Sequence, residues 1–85
     1  MKKITTATGK IYSLAWCGLS TIDSVLRFEI IGADMMDVIS TFTNANETRT
    51  LEYAFDEQET VFSGYTTFKG IDVTDRGIVV SLIGA

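Results

Sequence analysis

Carboxylates are the only side chains in this 85-residue sequence whose numbers and spacing invite a catalytic reading. They fall in three sets: Asp34 with Asp37, Asp56 with Glu57 and Glu59, and Asp72 with Asp75. Acid–base hydrolysis needs two carboxyl groups a few ångströms apart across a cleft, one of them raised by an apolar pocket. All three sets fall at expected turns or at a helix start, where solvation and capping account for them. The chain has no histidine, and its single cysteine, Cys17, lies in the apolar run Leu14-Ala15-Trp16-Cys17. A nucleophilic thiolate normally has a base beside it, so Cys17 reads as a small buried thiol. No G-x-S-x-G string and no P-loop is present. The residues therefore give no catalytic group and no cofactor site, and a non-enzymatic protein is expected.

Metal binding fares no better. Asn44, Asn46 and Glu47 form one oxygen-rich loop, and Asp56, Glu57 and Glu59 another. Calcium takes six to eight oxygens in a wrapped loop, and neither stretch has the EF-hand spacing or its central glycine. Both read as turn chemistry, and no metal is expected. Formal net charge is −4, and the positive residues, from Lys2 to Arg76, are scattered rather than gathered on one stretch. Phosphate neutralisation needs an aligned basic face, so nucleic acid is excluded as a partner. No run approaches the roughly 18–20 apolar residues of a membrane span, and no membrane partner is expected. Met1-Lys2-Lys3 is followed by Thr5, Thr6 and Thr8 where the apolar core of a signal peptide would stand, which places the chain in the cytoplasm of its host.

The elements that would position any site are mostly strands. The size fits a single domain over residues 1–85, and the abundance of threonine with no proline favours half-buried pleated surfaces. Ile4–Ala7 and Ile11–Leu19 read as two strands joined at Thr8-Gly9. In the second, Tyr12, Leu14 and Trp16 are expected on one face, with Ile11, Ser13, Ala15 and Cys17 on the other. The third strand carries the cleanest alternation: Leu26, Phe28 and Ile30 inward, Arg27 and Glu29 toward water or a neighbour. Asp34 caps a helix over residues 34–43, whose Met35, Val38, Ile39 and Phe42 form one apolar face. Glu47–Phe55 reads as the fourth strand, and Asp56–Glu59 as an acidic turn. A long fifth strand runs from Thr60 to Val73, with Gly64 and Gly70 placed for a bend or bulge. Thr74–Gly77 then turns the chain, Gly77 supplying a positive φ, into a last strand, Ile78–Gly84, apolar on both faces. The expected fold is mainly β, six antiparallel strands in the order β-β-β-α-β-β-β, forming a curled sheet or small barrel with one short helix. The alternative is an open antiparallel sheet with the helix on one face.

Aromatic and apolar residues exceed what so small a core can cover, especially around the long strand and the two-faced last one. Surplus apolar surface marks contact sites, and the expected protein interface comprises Val61, Phe62, Tyr65, Phe68, Val79 and Ile83. A homo-oligomer is the expected state. The competing reading is a small intracellular ligand-binding or regulatory module with a concave aromatic site near Trp16, Tyr53 or Tyr65.

The strings FSGYTTFKGIDV and GIVVSLIG, with STIDSVLRFEI upstream, resemble small proteins encoded in the tail or baseplate gene regions of bacteriophages and prophages of Gram-positive bacteria. The resemblance covers Lys3 to Ile83 and rests on short length, threonine-rich strands and a hairpin near the C-terminus. It implies a structural or assembly component of a phage-type particle, in contact with itself and with other particle proteins, in the bacterial cytoplasm or on the virion. It carries over no functional residue.

Overall fold

Alternating apolar residues set the inner face of a single sheet, and a break at Gly64 brings its two edges round toward each other. The structure, a computed structural model, describes residues 1–84. In chain order the elements are β1 (Lys2–Thr5), β2 (Ile11–Leu19), β3 (Val25–Ile31), α1 (Met35–Phe42), α2 (Ala45–Thr48), β4 (Thr50–Phe55), β5 (Gln58–Ser63), β6 (Thr67–Val73) and β7 (Gly77–Ile83). The seven strands form one sheet in the order β5-β4-β1-β2-β3-β7-β6, and every neighbouring pair is antiparallel.

The count of seven corrects the expected six. The stretch Thr60–Val73 breaks at Gly64, whose φ of 85° ends regular pairing, so its first part pairs with β4 and its second with β7. β5 and β6 are thus the opposite edges of the sheet, yet only Gly64, Tyr65 and Thr66 separate them. Extended chain spans at most about 3.3–3.6 Å per residue, so Ser63 and Thr67 lie within about 14 Å of each other. The sheet must curl to allow this. The molecule as a whole is nearly as deep as it is wide, 29 × 29 × 27 Å, which fits a curled sheet with a helix across it. It stops short of a closed barrel, because β5 and β6 do not pair with each other.

Inside the curl lie Ile4, Tyr12, Leu14, Leu26, Phe28, Ile30, Leu51, Ile78, Val80 and Leu82, all buried. Helix α1 closes this face. Asp34 accepts hydrogen bonds from the amides of Met36 (3.1 Å) and Asp37 (3.3 Å), capping the helix and stabilising it by about 1 kcal/mol. Phe42 enters the core between Tyr12 and Phe28, at ring-centroid distances of 5.3 and 5.1 Å. Val38 and Phe42 are fully buried, whereas Met35, expected on the same face, is exposed.

Four further corrections have physical causes. A bulge in β2 falls between Leu14 and Trp16, so Leu14 pairs with Ile30 but Trp16 pairs with Glu29 and Cys17 with Phe28. Trp16 therefore leaves the face of Tyr12 and Leu14, and Cys17 takes its place. Gly77 has no positive φ; a Cβ there would stand 1.9 Å from the carbonyl oxygen of Ile30, so close backbone approach is what demands glycine. Residues 45–48 form a helical turn capped by Asn44 rather than the start of a strand, which delays β4 to Thr50. The acidic turn is shorter than expected, only Asp56 and Glu57, with Gln58 and Glu59 already in β5; Asp56 adopts φ 54°, which Asp tolerates better than most residues.

Candidate functional site

Three polar arrangements stand out from the apolar frame. The first lies on the outer face of β3. Glu29 is 1% exposed, although its cross-strand neighbours are Trp16 and Val79 on the face expected to be wet. The β6–β7 turn folds back over it: Arg76 donates from Nη2 to Glu29 Oε1 at 2.8 Å, and the Thr74 hydroxyl donates to Oε2. A buried carboxylate is tolerable only when paired in this way. The second joins α2 to the β1–β2 hairpin. The Thr8 hydroxyl donates to Glu47, the Ala7 amide bonds the Glu47 carbonyl at 2.9 Å, and the Thr8 hydroxyl first, then that of Thr6, holds the Glu47 carboxyl below the usual carboxylate range.

The third fastens α1 to the sheet. The Tyr12 hydroxyl donates to Asp37 Oδ2 at 2.7 Å and lies 2.8 Å from Thr41 Oγ1, to which Lys10 Nζ donates at 3.1 Å. Burial, partly opposed by the Thr41 hydrogen bond, pushes the Tyr12 phenol up to about 12. Burial alone pushes the Cys17 thiol up to about 12 as well, so the thiolate that nucleophilic work requires is scarce at neutral pH. Each arrangement ties one element of the fold to another. Among the described residues every buried side-chain nitrogen and oxygen has a hydrogen-bond partner, and no three His, Cys, Asp or Glu side chains cluster as a metal site.

The carboxylate sets read from the sequence stay apart from one another. Asp34 caps α1 and Asp37 bonds Tyr12, while Asp56 and Glu57 occupy the β4–β5 turn and Asp72 and Asp75 the exposed end of β6 and the turn after it. Shallow grooves lie beside the Thr5–Gly9 loop with Arg49 and Glu52, and between Ile11 and Ile31 with Asp34 and Asp37 beside them. Of the three aromatic residues near which a concave site is expected, Trp16 and Tyr53 lie on opposite faces of the sheet, since Trp16 pairs with Glu29 and Tyr53 with Ile4.

The six interface residues divide. Phe62, Tyr65 and Phe68 pack against the core; Phe62 and Tyr65 meet edge to face at 6.0 Å, and Tyr65 reaches Gly84, where an added Cβ would stand 3.3 Å from its ring. Val79 and Ile83 lie half-buried on the outer face of β7. Val61 alone of the six is fully open, 56% exposed on the outer face of edge strand β5. Around it Glu59, Thr60 and Ser63 are exposed too. The free edge of β5 is therefore the candidate contact site. Sequence reasoning missed the buried Glu29 pair; its one available signal was an acidic residue within a largely apolar strand.

No helix among the described residues is long and apolar enough to cross a membrane. Comparison with protein-family models, curated proteins and solved structures gave no match.

Proposed function

We propose that this protein is a non-enzymatic structural or assembly component that works through protein–protein contacts, with itself and with other proteins of a phage- or prophage-type particle. The observation that carries the reading is the open sheet edge of β5, bearing Val61 at 56% exposure. An open edge presents a row of unpaired amides and carbonyls, which is the surface that strand-addition contacts use. The sequence resemblance to tail- and baseplate-region proteins supports the particle setting, and the tethering role of each polar arrangement fits a protein whose work is to hold a surface in place.

Multi-angle light scattering across a concentration series tests this. The weight-average mass rises with concentration if the protein self-assembles. A clean monomer at the highest concentration, in a sample free of other proteins, overturns self-assembly. For the particle setting, the expected gene neighbours are tape-measure, tail-tube or baseplate genes.

A further inference from the structure

We propose that β5 pairs with β5 of a second copy, antiparallel, across a two-fold axis that passes through Val61. This deepens the self-assembly reading above and rests on it. The two sheet edges differ in what they offer. β6 carries a bulge between Phe68 and Gly70, which interrupts its register, and Lys69 sits in that bulge; bulges and edge lysines are devices that blunt strand pairing. β5 pairs with β4 in unbroken register over all six residues, and five of the six are exposed. A molecule with one usable edge pairs with the same edge of its copy and closes as a dimer, whereas two usable edges would propagate a fibre.

Hydrogen-bond parity and charge select the register. The Gly64 amide bonds the Arg49 carbonyl at 3.2 Å, and bonding alternates along an antiparallel pair. Phe62, Thr60 and Gln58 accordingly bond toward β4, leaving Glu59, Val61 and Ser63 with amides and carbonyls directed at the free edge. Two edges that keep their faces aligned must set these residues opposite one another. Centring on Glu59 would place carboxylate against carboxylate, which is unfavourable; centring on Thr60 would set the Glu59 carboxylate against apolar Val61, and centring on Phe62 or Ser63 would carry Glu59 past the end of the facing strand. Centring on Val61 sets it against Val61 of the second copy and Glu59 against Ser63, a hydroxyl able to donate to the carboxylate. It also buries the one fully open apolar side chain of the strand. The dimer would then be a continuous sheet with both copies' outer faces on the same side.

The test uses the full chain. In a Cys17→Ser background, Val61→Cys places two thiols across the axis, and oxidation by glutathione disulfide at low micromolar protein is expected to give a covalent dimer. Val73→Cys on the other edge, in the same background, is the control and stays monomeric. Separately, sedimentation velocity of Val61→Lys is expected to show a dimer dissociation constant raised about tenfold or more by two apposed charges, with circular dichroism unchanged, while Val73→Lys leaves association intact. A dimer that Val61→Lys does not weaken, or that Val73→Lys weakens instead, overturns the β5 interface and leaves self-assembly standing. A dimer weakened by Val61→Lys in which Val61→Cys forms no disulfide overturns the register. A wild-type monomer at every concentration overturns both this proposal and the reading beneath it.

Discussion

Two aromatic residues close the curled sheet, and they do so to different degrees. At one place Phe42 descends from α1, fully buried, with its ring between Tyr12 and Phe28. At the other Tyr65, in the connection between the two edge strands, leans on Phe62 and covers Gly84 while remaining half-buried. The helix that carries Phe42 is held by a capping aspartate and by the Tyr12–Asp37–Thr41 hydrogen bonds. The connection that carries Tyr65 is held by a backbone bond from the Gly64 amide to the Arg49 carbonyl. The firmer seal lies at α1, and beside the weaker one β5 and β6 stay unpaired, which leaves an edge available for contact.

The sharpest way to break that contrast is truncation. Phe42→Ala is expected to cost about 3–5 kcal/mol, the range for a buried aromatic, read as a lowered urea midpoint. Tyr65→Ala removes a half-buried ring from a site that can relax, and about 1–2 kcal/mol is expected. Hydrogen exchange should show its effect confined to β5 and β6, while the Phe42 variant loosens the whole sheet. Equal losses at the two sites would erase the distinction.

The smallest effect concerns pH. Cys17 has its thiol raised by burial from 9.0 to about 12, and Tyr12 its phenol from 10.0 to about 12. Each folded pKa lies above its unfolded value, so the contribution of each is complete below the unfolded pKa and is lost as pH rises toward the folded one. Stability should decline from about pH 9 upward. Cys17→Ala should remove the part of the decline that begins near pH 9 and leave the Tyr12 part, which begins near pH 10. An unchanged profile in that variant would show that the thiol is not desolvated by folding.

Where one residue type could satisfy only one face, the sequence was readable. Leu26, Phe28 and Ile30 alternate with Arg27 and Glu29, and the structure buries the three apolar residues on one face. Val38 and Phe42 likewise announced the docking face of α1, and Asp34 its cap. In β2 the run Ala15-Trp16-Cys17 tolerates either face, so nothing local reveals the bulge that sends Trp16 outward. Gly77 looked like a turn glycine because the feature that requires it, the Ile30 carbonyl, is distant in sequence. The same distance hid Arg76 from Glu29: the charge pair becomes legible only once β3 and β7 are adjacent. The candidate site was legible in part. Val61 was named within it, but Phe62, Tyr65 and Phe68 pack against the core, and no local pattern distinguishes a residue that seals a seam from one that meets a partner.

The Gly64–Thr66 connection has a mechanical consequence. In a fully hydrogen-bonded barrel, strand number and stagger fix the circumference, and changing it means breaking a ladder. Here the last joint of the ring is covalent and turns on a glycine at φ 85°, a residue free to rotate through both signs of φ. Six junctions of this molecule are thus set by rows of hydrogen bonds and the seventh by a few backbone torsions, so the gap between β5 and β6 is the one dimension of the curl that no ladder fixes.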